Sequence, residues 1–195
     1  MRTLELLLAG GLFYLIGSIP FSYLLVRLVA GVDLRTVGSG NVGATNVGRV
    51  LGRRYYFLAL VLDLGKGLLA GGLARLWGLP LPLAALAVVG HNWSVFLRGR
   101  GGKGVATTMG LLAIASWEAW LVAVAIWAGL ISWLRYASVA SLGALFSAPV
   151  FVWVFEREQE LQLTLLMAAL ALLSLWRHRE NLARLRRGEE HRASL

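Results

Sequence analysis

Residues 38–49 read Gly-Ser-Gly-Asn-Val-Gly-Ala-Thr-Asn-Val-Gly-Arg, a composition suited to holding an anion. Glycines let successive backbone N–H groups turn towards one point, forming an anion-binding nest. Ser39, Asn41, Thr45 and Asn46 add neutral donors, and Arg49 adds a fixed positive charge. The plainer alternative is a flexible loop with close helix packing, since Gly48 and Gly52 form a GxxxG pair. A second cluster is Arg98-Gly99-Arg100-Gly101-Gly102-Lys103-Gly104-Val105. It is not a P-loop, because GxxxxGK[ST] would need Gly at Leu97 and Ser or Thr at Gly104. Exposed amides opening a helix beside Lys103 still favour a phosphate; the alternative is a basic hinge touching lipid headgroups.

Smaller groups accompany these two. Asp63 and Lys66 lie three apart on one helix face, which reads first as a local ion pair, although charges inside a membrane often mark a functional cavity. His91, in Gly90-His91-Asn92-Trp93, reads first as a hydrogen-bonded packing residue. Arg135 with Ser138 and Ser141 brings a cation and two hydroxyls, or else a topogenic charge with helix-capping serines. Trp176-Arg177-His178-Arg179-Glu180-Asn181 opens a basic tail that could equally lie on anionic lipid. Together the clusters supply Arg, Lys, Gly amides, hydroxyls and His with little carboxylate. That set suits a phosphorylated, multiply anionic substrate and suits Mg²⁺ or Zn²⁺ poorly, so no metal or cofactor is expected. The chain has no Cys, hence no thiolate nucleophile and no disulfide. Its three histidines, His91, His178 and His191, are far apart and form no HExxH.

The elements that must position these residues belong in a membrane. Of 195 residues, 58% are hydrophobic and 15% charged, with a mean hydropathy of +0.70, whereas soluble domains are about a quarter charged. The spacing predicts an all-α polytopic membrane protein, a single domain over residues 1–195, with apolar runs near 4–30, 55–76, 79–97, 105–134, 139–155 and 161–176. The 105–134 run is long for one helix and should break at Ser116-Trp117-Glu118. Glu156–Glu160 should separate the last two runs. Seven transmembrane helices result, or five if short segments are re-entrant. The net charge of +9 sits between the apolar runs, so it reads as topology and anion binding rather than as nucleic-acid binding. Arg35, Arg49, Arg53, Arg54, Arg98, Arg100, Lys103, Arg135 and the basic tail fall on one side. By the positive-inside rule that side is cytoplasmic and the N-terminus lies outside.

The same residues resemble the bacterial acyl-phosphate-dependent glycerol-3-phosphate acyltransferases, the PlsY family. The resemblance rests on Gly17-Ser18-Ile19-Pro20, Gly38-Ser39-Gly40-Asn41, Gly43-Ala44-Thr45-Asn46, Gly90-His91, Gly101-Gly102-Lys103-Gly104-Val105-Ala106, Arg135-Tyr136-Ala137-Ser138 and Arg177-His178-Arg179-Glu180-Asn181, in that order along nearly the whole chain. It implies a seven-helix inner-membrane enzyme moving a fatty acyl group from acyl phosphate to the 1-hydroxyl of glycerol 3-phosphate, giving lysophosphatidic acid and phosphate. It further implies that Ser39, Asn41, Thr45 and Arg49 form the first functional loop, that Gly101, Gly102, Lys103 and Gly104 form a phosphate-binding loop, that Ser141 joins the pocket, and that His178 and Asn181 complete it, with Glu180 more structural. Ser39, Arg49, Lys103, His178 and Asn181 would be the catalytic members. The reading from another class is a small membrane transporter or channel for a phosphorylated or anionic solute, supported by Asp63 and Lys66 but by no internal repeat.

Overall fold

The computed structural model describes residues 2–156 and 161–192, and all regular structure among them is helical. The helices are α1 (Arg2–Ser18), α2 (Phe21–Ala30), α3 (Ala44–Leu51), α4 (Arg53–Leu76), α5 (Leu86–Asn92), α6 (Val105–Ala115), α7 (Trp117–Leu134), α8 (Ala137–Glu156), α9 (Leu161–Arg177) and α10 (Arg179–Arg186). The chain divides into two compact units, Met1–Ile114 and Ala115–Leu195. Of the polar break expected at Glu156–Glu160, only Glu156 lies within the described residues.

In the first unit the backbones come into direct contact. Gly17 on α1 lies against the Ala87 carbonyl and Gly90 on α5 lies against the Tyr14 carbonyl, so a Cβ at either glycine would overlap the facing helix. Gly67 on α4 and Gly110 on α6 repeat the arrangement against the carbonyls of Thr107 and Leu64. Where lipid replaces water, helices gain little from apolar burial alone, and small residues let dispersion and close approach hold them together. Pro20, which has no N–H, separates α1 from α2. The loop and short α3 that follow are anchored by a cluster of Val26, Leu34, Val42, Val47, Tyr56 and Leu97.

In the second unit the break expected at 116–118 is present. Ser116 caps α7, its Oγ accepting from the Ala119 N–H at 3.5 Å, and α7 ends at Arg135 in the left-handed region at φ 62°. Helix α8 packs on both α7 and α9, with Ile131 and Ala140 buried beside Trp127 and Leu130.

Four stretches among the described residues, 3–30, 53–76, 117–134 and 137–156, are long and apolar enough to cross a membrane, and α9 with α10, bent by 56°, makes a fifth if the pair is one broken span. The 81–97 segment and the 11-residue α6 are shorter apolar pieces, below the roughly 20 residues a single spanning helix needs. Leu28, Leu76 and Trp133 are 83%, 77% and 80% exposed. Such surface would be costly in water and is natural against acyl chains. The chain is an all-helical integral membrane protein.

Candidate active site

The Gly101–Gly104 segment is built on the end of α5. The amides of Gly102 and Gly101 donate back to the carbonyls of His91 (3.0 Å) and Asn92 (3.3 Å). Neither α-carbon has room for a side chain: a Cβ on Gly101 would strike the His91 carbonyl, and one on Gly102 would strike His91 Nε2 and the Val42 carbonyl. These two amides hold the turn, and the two glycines contribute shape to the segment that the resemblance reads as a phosphate-binding loop. Gly104 adopts φ 78°, a conformation that strains any residue with a Cβ, and its carbonyl accepts from Thr108 at 2.8 Å as α6 begins. The first amides of α6 have no partner within the helix, so together with Lys103, half-buried one residue before Gly104, they make the cationic end of the segment. Such a helix start with a lysine beside it is the kind of end that favours an anion.

The first loop meets this one through Val42, whose carbonyl lies at Gly102. Ser39, Asn41, Thr45 and Arg49 are all half-buried, with Thr45 and Arg49 on α3. Asn46 does not serve as a donor to a ligand. It is fully buried, its Oδ1 accepts from the Ser39 N–H at 2.8 Å, and its Nδ2 donates to the carbonyls of Leu34 (3.2 Å) and Val37 (3.0 Å). Asn46 thus staples the loop that carries Ser39, Asn41 and Thr45. Asp33 helps at the loop's start, where the Arg35 guanidinium hydrogen-bonded to it holds its carboxyl down at about 2.

Behind the loops lies a buried charge cluster. Lys66 Nζ sits 2.8 Å from Asp63 Oδ1 and 3.3 Å from His91 Nδ1, and Ser22 Oγ donates to Asp63 Oδ2 at 2.9 Å. The local ion pair read from the i,i+3 spacing is therefore present, with His91 added from α5.

In the second unit, His178 is 3% exposed, and its Nδ1 lies 2.8 Å from the Ser174 carbonyl. A carbonyl accepts only, so Nδ1 carries a proton, and in the neutral ring Nε2 carries the lone pair. Asn181 Nδ2 donates to Glu190 Oε1 at 2.6 Å. Glu190 also accepts from Ser138 Oγ (3.1 Å) and from Arg184 Nε (3.0 Å). Ser141 is half-buried on α8, one turn after Ser138. Glu180, read as the structural carboxylate, is exposed; the buried one is Glu190, at 8%. Nothing marked Glu190 in the sequence except its being an acid six residues beyond Arg184 in a basic tail. Burial raises its carboxyl, but the hydrogen bonds from Asn181, Arg184 and Ser138 outweigh this and hold it below its ordinary value.

Fold and loops define a membrane-embedded helical protein with a cationic, glycine-rich cradle at the start of α6. The sequence matches the glycerol-3-phosphate acyltransferase family over residues 7–188. A glycerol-3-phosphate acyltransferase of Desulforudis audaxviator is 42% identical, with 100% of this chain and 98% of the relative covered. Two crystal structures of PlsY (YgiH), an integral membrane glycerol 3-phosphate acyltransferase, superpose closely. Its glycerol 3-phosphate form has a TM-score of 0.89 at 39% identity, and its lysophosphatidic acid form 0.85 at 35%; each covers 96% of this chain and 95% of that one. The chain belongs to the glycerol-3-phosphate acyltransferase family of the PlsY type, and with that the transporter reading falls away.

Proposed function

We propose that the protein transfers a fatty acyl group from acyl phosphate to the 1-hydroxyl of glycerol 3-phosphate, without a covalent acyl-enzyme. The observation that carries this reading is the cradle at Gly101–Gly104, where Lys103 and the opening amides of α6 offer charge and donors to a phosphate and the Val42 carbonyl brings the Ser39–Arg49 loop alongside. The relative solved in a glycerol 3-phosphate form supports the acceptor. Acyl phosphate is a mixed anhydride with phosphate as leaving group, so it needs orientation and charge neutralisation more than a protein nucleophile. The hydroxyl oxygen attacks the acyl carbonyl carbon, the bond from that carbon to the phosphate oxygen breaks, and inorganic phosphate leaves. Arg49 and Lys103 neutralise the phosphates, while Ser39, Asn41, Thr45 and Ser141 contact the substrates. His178, with Nδ1 donated to Ser174, accepts the hydroxyl proton at Nε2 and passes it to the departing phosphate, while Asn181 stabilises developing charge. We read residues 1–195 as one acyltransferase domain in the bacterial inner membrane. Seven apolar segments then leave the N-terminus outside and the basic loops and C-terminus cytoplasmic.

The test is purified protein supplied with palmitoyl phosphate. Phosphate release that depends on glycerol 3-phosphate, with lysophosphatidic acid as co-product and no activity on acyl-CoA or acyl carrier protein, is the expected result. Donor-dependent phosphate release without the acceptor, or a trapped acyl-protein, would refute it.

A further inference from the structure

The Asp63–Lys66–His91 cluster has no part in the chemistry above, yet it borders the cradle. Asp63 and Lys66 are 2% and 3% exposed and His91 is 8%, in a helical membrane unit where charges are expensive. A cavity of about 10 Å³ is lined both by Asp63, Lys66 and His91 and by Val42 and Gly101 of the two loops, so cluster and loops share one wall. The ring of His91 spans that wall. Its Nδ1 lies within hydrogen-bond distance of Lys66 Nζ, at 3.3 Å, and beyond it from Asp63 Oδ1, at 3.6 Å. An ammonium can only donate. Nδ1 therefore accepts, and the ring's proton sits on Nε2, the atom against which Gly102 is packed.

We propose that His91 is a positioning residue for acyl transfer: the Asp63–Lys66 pair holds it in the Nε2–H tautomer, and its ring and backbone carbonyl seat the Gly101–Gly102 turn that aims Lys103 and the first turn of α6 at the phosphate. The proposal rests on the acyltransfer reading for its substrate.

Two substitutions separate positioning from packing. His91→Asn keeps an acceptor near Nδ1 for Lys66 but removes everything at Nε2. His91→Gln carries an amide to about the Nε2 position and gives up the acceptor for Lys66. The expected result is a KM for glycerol 3-phosphate raised about tenfold in His91→Asn, as the turn loses the ring edge it packs against, with kcat changed less. His91→Gln should stay within about threefold of wild type in KM despite the lower Tm of the two. The opposite order in KM, or KM changes that simply follow Tm, overturns the proposal. Glycerol 3-phosphate binding is also measured without an acyl donor. Wild-type protein that binds but does not turn over refutes the acyltransfer reading alone; wild-type protein that does neither refutes both. ¹⁵N-histidine NMR of the wild-type protein needs no variant to fold. It should show the His91 ring protonated at Nε2 only and shifting when glycerol 3-phosphate is added. A ring protonated at Nδ1, or one indifferent to the substrate, overturns the assignment.

Discussion

Replacing Glu190 by Gln keeps the side chain's shape and removes its charge, which makes the cost calculable from three contacts. Oε1 accepts from Ser138 and Asn181, while Oε2 accepts from Arg184. A glutamine has one oxygen and one NH2, so either orientation turns an N–H towards another N–H. If the oxygen stays with Ser138 and Asn181, the Arg184 contact becomes donor against donor. The loss is one charge-assisted hydrogen bond in a buried setting, about 1.5–3 kcal/mol. At roughly 2–4 °C per kcal/mol for a chain of this size, Tm should fall by roughly 3–12 °C. Asn181, no longer gripped by a carboxylate, should cost acyl transfer about tenfold as well. The pH dependence has a fixed sign. Glu190 titrates below its ordinary 4.5 in the folded protein, so its stabilisation is complete above that value and is lost as pH falls through the folded one. Thermal unfolding of wild type and Glu190→Gln in detergent, from neutral pH downwards, should therefore show a gap that closes in acid. Equal Tm at neutral pH, or a gap indifferent to pH, would refute the reasoning.

Other perturbations test the first unit. Lys103→Ala should lower kcat/KM for phosphate-bearing substrates at least about a hundredfold with Tm little changed, because the residue is half-buried at the cradle rather than in the core; near-normal activity would remove it from the catalytic set. Gly102→Ala should abolish activity and destabilise the protein by more than about 2 kcal/mol, since the new methyl meets the Val42 carbonyl as well as His91; chemical or thermal unfolding reads the loss. Asp63→Asn leaves Lys66 buried without its carboxylate and should cost about 3–5 kcal/mol, whereas Asp63→Asn with Lys66→Met should recover more than half of that. A double variant as unstable as the sum of its singles would show that no pair energy exists.

Helix content and the Ser116 break were legible because each has a local cause, an apolar run and a capping hydroxyl, whereas the break at Pro20 inside the 4–30 run went unread. The glycine-rich segment around Lys103 was legible too, as a candidate phosphate loop or a basic hinge. Which groups in the cradle are engaged was not. The Gly101 and Gly102 amides face the carbonyls of Asn92 and His91 at the end of α5, partners whose position depends on the α1–α5 contact at Gly17 and Gly90. Asn46 looked like its neighbours Asn41 and Thr45, yet it is fully buried and bonded to three backbone groups. Glu190 escaped notice for the same reason. Its partners Ser138, Asn181 and Arg184 are 52, 9 and 6 residues away, and sequence pattern carries only the shortest of these separations.

The polar groups whose engagement the sequence left unread share a task, and it follows from the solvent. An apolar contact between helices gains little in a bilayer, whereas a polar group deprived of partners costs far more there than at an aqueous surface. Chain segments without regular structure are therefore best fixed by side chains that satisfy backbone and charge at once. Asn46 does this for the 34–39 loop, and Glu190 for Asn181 and Arg184. Each is buried, and each lies within a few residues or a single hydrogen bond of a residue assigned to the reaction. Substituting such a side chain should thus reduce activity by displacing its neighbour before the protein unfolds. An exposed charge such as Arg186 or Arg187 should tolerate neutralisation with little change in either.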